Sequence, residues 1–358
     1  MRPRAAVRAL VSCTAAVFLA WGMGVSPARA QQAAPTAQAV AGMSHLDDIW
    51  CGPDGVCLGV GIAPGPVGAV VVLRANGQTG PVRTVPGTDR LSAIDCPAGG
   101  NCIAVGRGGV VVEVSRDGTP GPLRPVPRTS GLSHVACPTA TTCLATGSLT
   151  VFPPEPHGVT TSVYTVINNG QPEPARDFPR GTSSAFGIDC PTTTTCLVVA
   201  RSAIVVLRNI DGVWLPTLRR IPLDSDAGQP TLEISCASST TCFASASGFV
   251  QTPEGEYGIP AMVPVTVDGV SGPEQVLTTQ QGIVDDISCV FGRTCTVVGQ
   301  TTSGAVSIDV FRGTPAAPVI WENVNVFTGV SCIAPATCGV VGGSYPNALF
   351  GWHGPVPA

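Results

Sequence analysis

The sequence contains no lysine, and all 19 of its positively charged side chains are arginines. This absence excludes Schiff-base catalysis by lysine and the phosphate-binding lysine of a P-loop. Aromatic residues make up only 5% of the chain, and histidine occurs only four times. The G-x-S-x-G motif of serine hydrolases is also missing. Several large classes of enzyme are therefore excluded by composition alone.

Long hydrophobic runs are confined to the N-terminus. Three arginines occur within the first eight residues, an apolar stretch follows over residues 9–25, and Ala28-Arg29-Ala30 offers a small-x-small cleavage site. This order of segments predicts a signal peptide over residues 1–30, so we expect a secreted protein. After Ala30 no apolar run approaches the ~18 residues that a membrane span needs, so we expect no membrane insertion.

One alternative places the cut at Cys13, because Leu10-Val11-Ser12-Cys13 has the residue types of a lipoprotein cleavage box. Most of the apolar stretch lies after Cys13, so this cut would leave the hydrophobic segment attached to the product. The segment order expected of export signals therefore favours cleavage after Ala30.

Residues 31–358 carry 15 arginines and 23 acidic side chains, a net charge of about −8. A negative protein repels phosphate backbones and anionic lipid headgroups. We therefore expect neither nucleic acid nor an acidic membrane surface as the partner.

Once Cys13 is assigned to the signal peptide, fourteen cysteines remain, in seven pairs with five residues between the two members. The pairs are Cys51 with Cys57, Cys96 with Cys102, Cys137 with Cys143, Cys190 with Cys196, Cys236 with Cys242, Cys289 with Cys295, and Cys332 with Cys338. An even set at fixed spacing in an exported protein predicts a disulfide framework. Zinc sites usually place about two to four residues between paired cysteines, with further ligands nearby, and these pairs lack both features. We therefore predict seven disulfides and no metal or other cofactor.

The cysteine pairs mark a repeat of 41 to 53 residues, which is the length of a propeller blade. In the second copy, residues 91–96, 102–106, 110–114 and 122–126 each have the composition of a short β-strand. We call these strands a, b, c and d. The polar loop between the cysteines makes strands a and b a hairpin, in which paired Cα atoms lie about 4.5–5.5 Å apart, a distance that suits a disulfide.

Small residues recur at two positions of the repeat. Four residues after each second cysteine stands glycine or alanine, which predicts either a close backbone approach or a positive φ. These residues are Gly61, Gly106, Gly147, Ala200, Ala246, Gly299 and Gly342. Every c–d turn also contains glycine, and five of the seven turns are Asn-Gly or Asp-Gly, for which we expect positive φ at both central residues.

The seventh copy ends shortly after its c strand, and the missing d strand is found at the other end of the chain. Residues 40–46 align without gaps on residues 85–91, which form the end of a d strand and the link that follows it. Pairing the two ends removes exposed sheet edges. We therefore predict an all-β fold over residues 40–358, preceded by a short linker over residues 31–39. The fold is a seven-bladed β-propeller of four-stranded antiparallel blades, closed by an N-terminal strand that completes the last blade. A β-solenoid is the alternative, and the tight hairpins of the repeat favour radial blades.

This arrangement resembles that of WD-repeat propellers, in which a terminal strand also closes the ring. The C-x5-C spacing, followed by a strand with a small residue, valine and glycine, is similar to that of secreted bacterial propeller proteins without an assigned function. The resemblance covers residues 40–355, and the Gly-His and Trp-Asp signatures of WD repeats are absent. The resemblance implies the fold and no particular activity.

The copies differ most at one face of the predicted propeller, where the d–a links and b–c loops lie. Blade three inserts residues 148–161 and blade five inserts residues 247–260 at this face. Binding usually evolves in divergent loops on a rigid scaffold, although neutral insertions would look the same. We expect a monomeric, non-enzymatic scaffold that binds an extracellular glycan or protein. The candidate ligand-binding residues are His45, Arg90, His157, Tyr257 and Asn325.

A propeller-type glycoside hydrolase or lyase is the alternative function, and we assign it no catalytic residue. Glycoside hydrolysis needs paired carboxylates at a fixed separation, and Glu254 and Glu256 could supply half of such a site. Ser133 and His134 are neighbours in the sequence, so their side chains are predicted to point to opposite faces of a strand. We therefore do not interpret Ser133 and His134 as a catalytic dyad.

Two further acidic patterns are open to interpretation. Asp224 and Asp226 place oxygen ligands at alternating positions, as a calcium loop does, but no closing glutamate follows, and a polar turn is favoured. The pairs Asp47-Asp48 and Asp285-Asp286 precede strand-a cysteines, and they either line the mouth of the channel or are simply exposed.

Overall fold

A computed structural model describes residues 35–151, 159–182, 184–201, 203–220, 233–252, 255–290, 292–343 and 346–357. In these ranges the regular structure consists of thirty β-strands, arranged in seven antiparallel sheets. Among the same residues there is no helix with the length and apolar character of a membrane span. The residues before position 35, including the predicted signal peptide, lie outside the described part of the chain.

Each sheet is one blade and follows the predicted a–b–c–d order. Blades one to three contain β2 His45–Cys51, β3 Val56–Ala63, β4 Val67–Arg74 and β5 Arg83–Val85; β6 Leu91–Asp95, β7 Cys102–Gly106, β8 Val110–Val114 and β9 Pro120–Pro125; β10 Gly131–Ala136, β11 Thr142–Val151, β12 Val159–Asn168, β13 Gln171–Pro172 and β14 Arg176–Asp177. Blades four and five contain β15 Ala185–Thr192, β16 Thr195–Ala200, β17 Ala203–Ile210 and β18 Val213–Arg220; β19 Ile234–Cys236, β20 Thr241–Thr252, β21 Gly255–Thr266 and β22 Gln275–Val276. Blades six and seven contain β23 Gly282–Val290, β24 Thr294–Thr301, β25 Gly304–Phe311, β26 Thr314–Pro315 and β27 Val319–Ile320; β28 Phe327–Ala334, β29 Thr337–Gly342, β30 Leu349–His353 and β1 Gln38–Ala39.

The last blade takes its d strand from the N-terminal end of the described chain. Strand β1 pairs antiparallel with β30, with Gln38 opposite Phe350 and Ala39 opposite Leu349. This pairing confirms that an N-terminal strand completes blade seven, and it begins at Gln38, inside the segment predicted as a linker. The seven-bladed propeller is confirmed, and the solenoid alternative is wrong.

In the described part of the chain, seven hydrophobic clusters form the core, and each lies between two neighbouring blades. The cluster between blades seven and one contains Leu46 and Phe350, which are 0% and 1% exposed. Burial of one such side chain contributes about 1.5–3 kcal/mol. The ring is therefore closed by the same apolar packing that joins every other pair of blades.

All seven predicted disulfides are present, and each joins strand a to strand b of one blade. The bonds connect Cys51 to Cys57, Cys96 to Cys102, Cys137 to Cys143, Cys190 to Cys196, Cys236 to Cys242, Cys289 to Cys295, and Cys332 to Cys338. Their Cα atoms lie 3.8–4.0 Å apart, closer than the spacing expected for paired strands, because the covalent bridge holds the two chains together at the mouth of the hairpin. Each closes a loop of seven residues, which contributes about 2.4 kcal/mol in a chain-entropy treatment. Seven disulfides are consistent with an oxidising extracellular environment.

Positive φ at both central residues is confirmed in two of the five Asn-Gly and Asp-Gly turns. Asn169-Gly170 has φ of 50° and 71°, and Asp211-Gly212 has φ of 51° and 85°. The Arg312-Gly313 turn of blade six adopts the same conformation, with φ of 52° and 83°.

The expectation is wrong for Asn76-Gly77, Asp117-Gly118 and Asp268-Gly269, where only the glycine has positive φ. In the first of these turns the N–H of Gly77 donates to the carbonyl oxygen of Arg74 at 2.8 Å. This pattern is typical of a longer hairpin loop, a type I turn followed by a left-handed glycine, which needs positive φ only at its last residue.

Candidate functional site

Strand a carries a β-bulge or a similar register shift in six blades, and the repeated small residue of strand b lies opposite it. The shifts fall at residues 47, 92, 133, 285 and 328, and between Ala185 and Ile188 in blade four. A Cβ on Gly61 would lie 2.1 Å from the carbonyl oxygen of His45, and one on Gly106 would lie 2.2 Å from that of Arg90. Neither glycine has a positive φ. Of the two predicted reasons for small residues, close backbone approach is therefore the correct one for these glycines.

Side chains beyond the bulges converge on a central cavity of about 550 Å³. Five blades contribute the residue that stands three positions before the first cysteine: Asp48, Ala93, His134, Glu233 and Asp286. Asp47 and Asp285 line the same cavity. Both acidic pairs therefore line the channel. With Glu233, Asp95 and Asp189, seven carboxyl groups line it, together with one histidine and one arginine.

His134 and Glu233 form an ion pair across the cavity. The distance from His134 Nε2 to Glu233 Oε1 is 2.6 Å, although the residues belong to blades three and five. Blade four makes room for this contact with Gly187, because a Cβ there would lie 2.4 Å from Glu233 Oε2. Burial lowers the pKa of His134, but the charge and hydrogen bond of Glu233 outweigh burial, and the net pKa is raised. The ion pair therefore fixes the orientation of the imidazole.

Two of the channel carboxylates also join neighbouring blades. Asp48 accepts the N–H of Ile49 in its own blade at 2.7 Å and that of Ile94 in blade two at 2.8 Å. Asp286 does the same between blades six and seven, where it accepts the N–H of Val330 at 2.7 Å. Both oxygens of each carboxyl group are therefore occupied by backbone donors.

The pKa values of these channel carboxyls are raised. Burial raises the pKa of Asp48 to about 7 against the lowering effect of its two backbone hydrogen bonds, and the charge of Glu233 raises it further. Burial and the charges of Glu233 and Asp48 raise the pKa of Asp286 well above its usual range. Near neutral pH, Asp48 and Asp286 therefore hold protons more tightly than separated carboxyl groups would.

The residue directly before the first cysteine has an architectural role. In five blades its side chain accepts the N–H of a cysteine in the next blade at 2.6–3.0 Å. These acceptors are Asp95, Asp189, Ser235, Ser288 and Ser331. Trp50 and Ala136 stand at this position in blades one and three, and neither side chain carries an acceptor oxygen.

Two of the predicted ligand-binding residues meet at the rim of the central cavity. Arg90 pairs with Asp47 through Nε to Oδ2 at 3.0 Å and through a second contact to Oδ1. His45 Nε2 lies 3.2 Å from Oδ1 of the same carboxylate. Because only 4% of the Asp47 side chain is exposed, His45 and Arg90 are fixed in place by a buried anion.

A side cavity of about 500 Å³ opens beside the central one, between blades two, three and four. The two cavities share Arg90, Ser92, Ser133 and His134. Thr182, in the link before blade four, and Phe186, at the start of its strand a, form part of the opposite wall. The d–a links and b–c loops, which we call the variable face, therefore hold one continuous concave surface.

The other predicted ligand-binding residues lie elsewhere. Tyr257 is half-buried in the b–c hairpin of blade five, opposite Val250. Asn325 is exposed in the d–a link that precedes blade seven. Neither residue lines the two cavities, and His157 lies outside the described residues.

The interpretation of Ser133 and His134 needs a correction. Both side chains line both cavities, because the bulge at Ser133 breaks the alternation of faces along strand a. They still do not form a dyad, since Ser133 Oγ donates to the carbonyl oxygen of Thr146 at 3.4 Å and His134 pairs with Glu233.

A serine, a histidine and an aspartate do meet between blades six and seven, but as an internal network. His353 lies 3.3 Å from Ser307 Oγ through Nδ1 and 2.9 Å from Asp309 Oδ2 through Nε2. Trp321 Nε1 also donates to Ser307 Oγ, at 2.9 Å. Ser307 is 0% exposed, so no substrate can reach its hydroxyl, and the network joins strand c of the last blade to blade six.

The described residues include no group of three or more histidine, cysteine, aspartate or glutamate side chains placed to hold a metal ion. The possible calcium loop with Asp224 and Asp226 lies outside the described residues, as does Glu254. The carboxylate pair proposed for glycoside hydrolysis is therefore not located by the structure.

No protein-family model matches the chain, and no curated protein matches it. Solved structures of WD40 propellers do match. The WD40 repeats of RRP9 superpose with a TM-score of 0.65 at 9% identity, over 90% of this chain and 99% of that one. The WD40 propeller domain of Doa1 gives 0.64 at 10% identity, over 90% and 97% of the two chains. The Pan2 WD40 domain of Neurospora crassa gives 0.60 at 9% identity, over 86% and 88%. At such low identity this likeness shows the propeller fold alone.

Proposed function

We propose that the chain is a secreted, non-enzymatic propeller scaffold that binds an extracellular glycan at its variable face. The observation that carries this proposal is the junction of the central and side cavities around Arg90 and His134. Binding sites for small ligands are concave and place a few polar groups among apolar walls. The disulfides support secretion, because such bonds persist in oxidising compartments.

The state of the charged groups favours binding over hydrolysis. A general acid needs a carboxyl group that can approach the substrate and transfer its proton. In the channel, Asp48 and Asp286 are held by backbone donors of two blades, and Glu233 is paired with His134. These three groups are engaged in the architecture, whereas Asp285 in the same cavity has a pKa raised to about 7 by burial and no partner for Oδ2. The engagement of Asp48, Asp286 and Glu233 supports the non-enzymatic interpretation over the alternative of a glycoside hydrolase or lyase.

An extracellular protein is the second candidate ligand. The central cavity collects seven carboxyl groups, of which Asp47 is neutralised by Arg90 and Glu233 faces His134. Burial raises the pKa values of the remaining carboxyl groups, so they would favour a basic peptide segment over an acidic one mainly above neutral pH.

The test is a glycan-array screen of the oxidised chain of residues 31–358, followed by affinity measurements on two matched variants. Arg90→Gln alters an arginine–aspartate pair on the variable face. Arg208→Gln alters the Arg208–Asp268 pair at the opposite face, which carries the a–b loops and c–d turns and which we call the turn face. We expect a selective hit whose affinity falls at least tenfold in Arg90→Gln and is unchanged in Arg208→Gln.

Equal effects of the two variants would contradict binding at the variable face. A blank array, followed by capture of a protein ligand that Arg90→Gln weakens, would replace glycan by protein and keep the site. Alanine substitutions of His45, His157, Tyr257 and Asn325 would then rank the other candidates.

A further inference from the structure

The side cavity and the central cavity differ in the sign of their charge. Seven carboxyl groups line the central cavity, whereas the described residues that line the side cavity include no aspartate and no glutamate. The side cavity instead has two arginines in its wall, Arg90 and Arg107, together with His134. Because residues 31–358 carry a net charge of about −8, this local excess of positive charge requires an explanation.

Arg90 and Arg107 are held side by side by the backbone. The N–H of Arg107 donates to the carbonyl oxygen of Arg90 at 3.1 Å. The hydroxyl of Thr88, a buried residue, lies 2.9 Å from that oxygen and 3.0 Å from the carbonyl oxygen of Arg107. The same threonine contacts recur in blade three, where a glycine and a serine stand in place of the two arginines. Of these two blades, only blade two therefore presents arginines to the cavity.

A third arginine stands at the opposite side of the side cavity. Arg201 in blade four has the same repeat position as Arg107, directly after the small residue that ends strand b. Its N–H donates at 3.3 Å to the carbonyl oxygen of Ser184, which belongs to the cavity wall. Arg201 is exposed, and it forms no ion pair within the part of the chain that the structure describes. Arginines of blades two and four therefore flank the cavity.

Both arginines of the wall can donate hydrogen bonds to a ligand. Arg90 uses Nε and Nη2 for Asp47, so that carboxylate leaves the two hydrogens of Nη1 free. Arg107 makes one contact of 3.3 Å with Asp89, and 67% and 45% of these two side chains are exposed. An exposed ion pair of this kind contributes little to stability, so a ligand carboxylate can replace Asp89 at small cost.

The rest of the wall has the mixed character that a sugar ring requires. Seven of the fifteen lining residues are serine or threonine, and hydroxyl groups both donate and accept hydrogen bonds, as sugar hydroxyls do. Two of these residues, Thr160 and Ser184, are exposed. Phe186 is half-buried and supplies apolar surface, against which the C–H face of a pyranose can pack. The volume of about 500 Å³ is within the range of small-molecule sites.

From these observations we infer that the side cavity binds the acidic unit of a glycan, a hexuronic acid whose carboxylate pairs with Arg107 and Arg90. Arginine can hold a carboxylate through two parallel hydrogen bonds, which provides orientation as well as affinity. Arg201 adds positive charge at the opposite rim. This inference rests on the proposed function, and it narrows the ligand from glycans in general to those that carry a carboxylate.

The first test isolates the charge of the ligand. Methyl glucuronide and methyl galacturonide are compared with their uronamides, which have the same shape without the charge, in saturation-transfer NMR with the oxidised chain of residues 31–358. We expect at least one uronide to bind, and its uronamide to bind at least tenfold more weakly. Equal binding of uronide and uronamide, or no binding of either uronide, would overturn the inference.

A pair of variants on the variable face locates the carboxylate. Arg107→Gln removes one charge from the cavity wall. Arg128→Gln is the matched control, because Arg128 pairs with Asp177 at 2.9 Å, is also exposed and does not line the cavity. We expect Arg107→Gln to lower uronide affinity at least tenfold and Arg128→Gln to change it less than twofold, with little change of melting temperature in either variant. Equal losses of affinity would indicate an effect of net charge and contradict the assigned site.

The outcomes separate this inference from the proposed function. If the glycan-array hits are weakened by Arg90→Gln but not by Arg107→Gln, the hexuronate inference fails and the proposed function stands. If neither variant weakens any hit, both fail. Tighter binding of a polyglutamate peptide than of either uronide, with the same dependence on Arg107, would contradict a saccharide as the ligand.

Discussion

The two ends of strand a use polar side chains in different ways. Next to the disulfide, the residue before the first cysteine accepts a backbone N–H of the following blade in five of the seven blades, so its partners are repeated around the ring. Beyond the bulge, the side chains differ from blade to blade and converge on two cavities, where some atoms have no partner. The hydrogen bonds that are repeated around the ring therefore stabilise it, and the side chains that differ between blades are the ones available to bind a ligand.

The strongest challenge to this comparison is a change at the bulge itself. Gly106→Ala should cost about 3–5 kcal/mol, because the new Cβ would lie 2.2 Å from the carbonyl oxygen of Arg90 and force strands a and b apart. The control is Ala200→Gly at the same repeat position, which should cost only about 1 kcal/mol. Denaturant unfolding of both variants measures the difference. A loss below about 1 kcal/mol for Gly106→Ala would show that the bulge is not a fixed feature.

A change at the disulfide end should be next in size. Asp189 accepts the N–H groups of Cys190 and Cys236, both at 2.6 Å, so Asp189→Ala leaves two partly buried donors unpaired. We expect a loss of about 3 kcal/mol, against about 1–2 kcal/mol for Ser235→Ala, which removes the single acceptor of the Cys289 N–H. Thermal unfolding gives the ranking, and equal losses would argue against these hydrogen bonds as the joints between blades.

Removal of one disulfide should have a smaller and local effect. Cys96→Ala combined with Cys102→Ala should cost about 2.4 kcal/mol and leave the ring folded, because the loop that it closes has only seven residues. Circular dichroism and thermal unfolding under oxidising conditions measure this. Unfolding of the whole ring in the double variant would contradict the view that each disulfide stabilises only its own blade.

The smallest effect concerns a carboxyl at the variable end. Burial raises the pKa of Asp285 from 3.8 to about 7, and its Oδ2 atom has no partner. The folded state therefore holds this proton more tightly than the unfolded state, so the resulting stability is complete below about pH 4 and is lost as the pH rises through 7. Asp285→Asn should melt a few degrees higher than the native protein at pH 8 and show little difference at pH 4. A lower melting temperature at pH 8 would mean that the ionised carboxylate has a partner.

The sequence predicted those parts of the fold that local spacing encodes. Each C-x5-C pair lies within one hairpin, and the alignment of residues 40–46 on residues 85–91 showed how the ring closes. The turn conformations were predicted less well, because Asp117-Gly118 and Asp211-Gly212 have the same dipeptide and differ in loop length. The loop length depends on strand pairing that the dipeptide does not specify.

The candidate site was predicted only in part. His45 and Arg90 were identified, but their shared partner Asp47 was interpreted separately as half of an acidic pair. The ion pair of His134 with Glu233 was not predicted, because the two residues belong to blades three and five, which are not neighbours in the ring. The sequence did contain one signal for this contact. His134 and Glu233 each stand three positions before the first cysteine of their blade, and blade four, which lies between them, has Gly187 at that position. A bulge shifts the facing of a strand by one residue, and periodicity alone does not reveal this.

The most direct test of the central claim is a crystal structure of the oxidised protein with the strongest ligand from the glycan array. The account predicts electron density for the ligand on the variable face, within the concave surface that the central and side cavities form together. A ligand bound on the turn face, with the side cavity empty, would contradict the assignment of function to the divergent end of strand a.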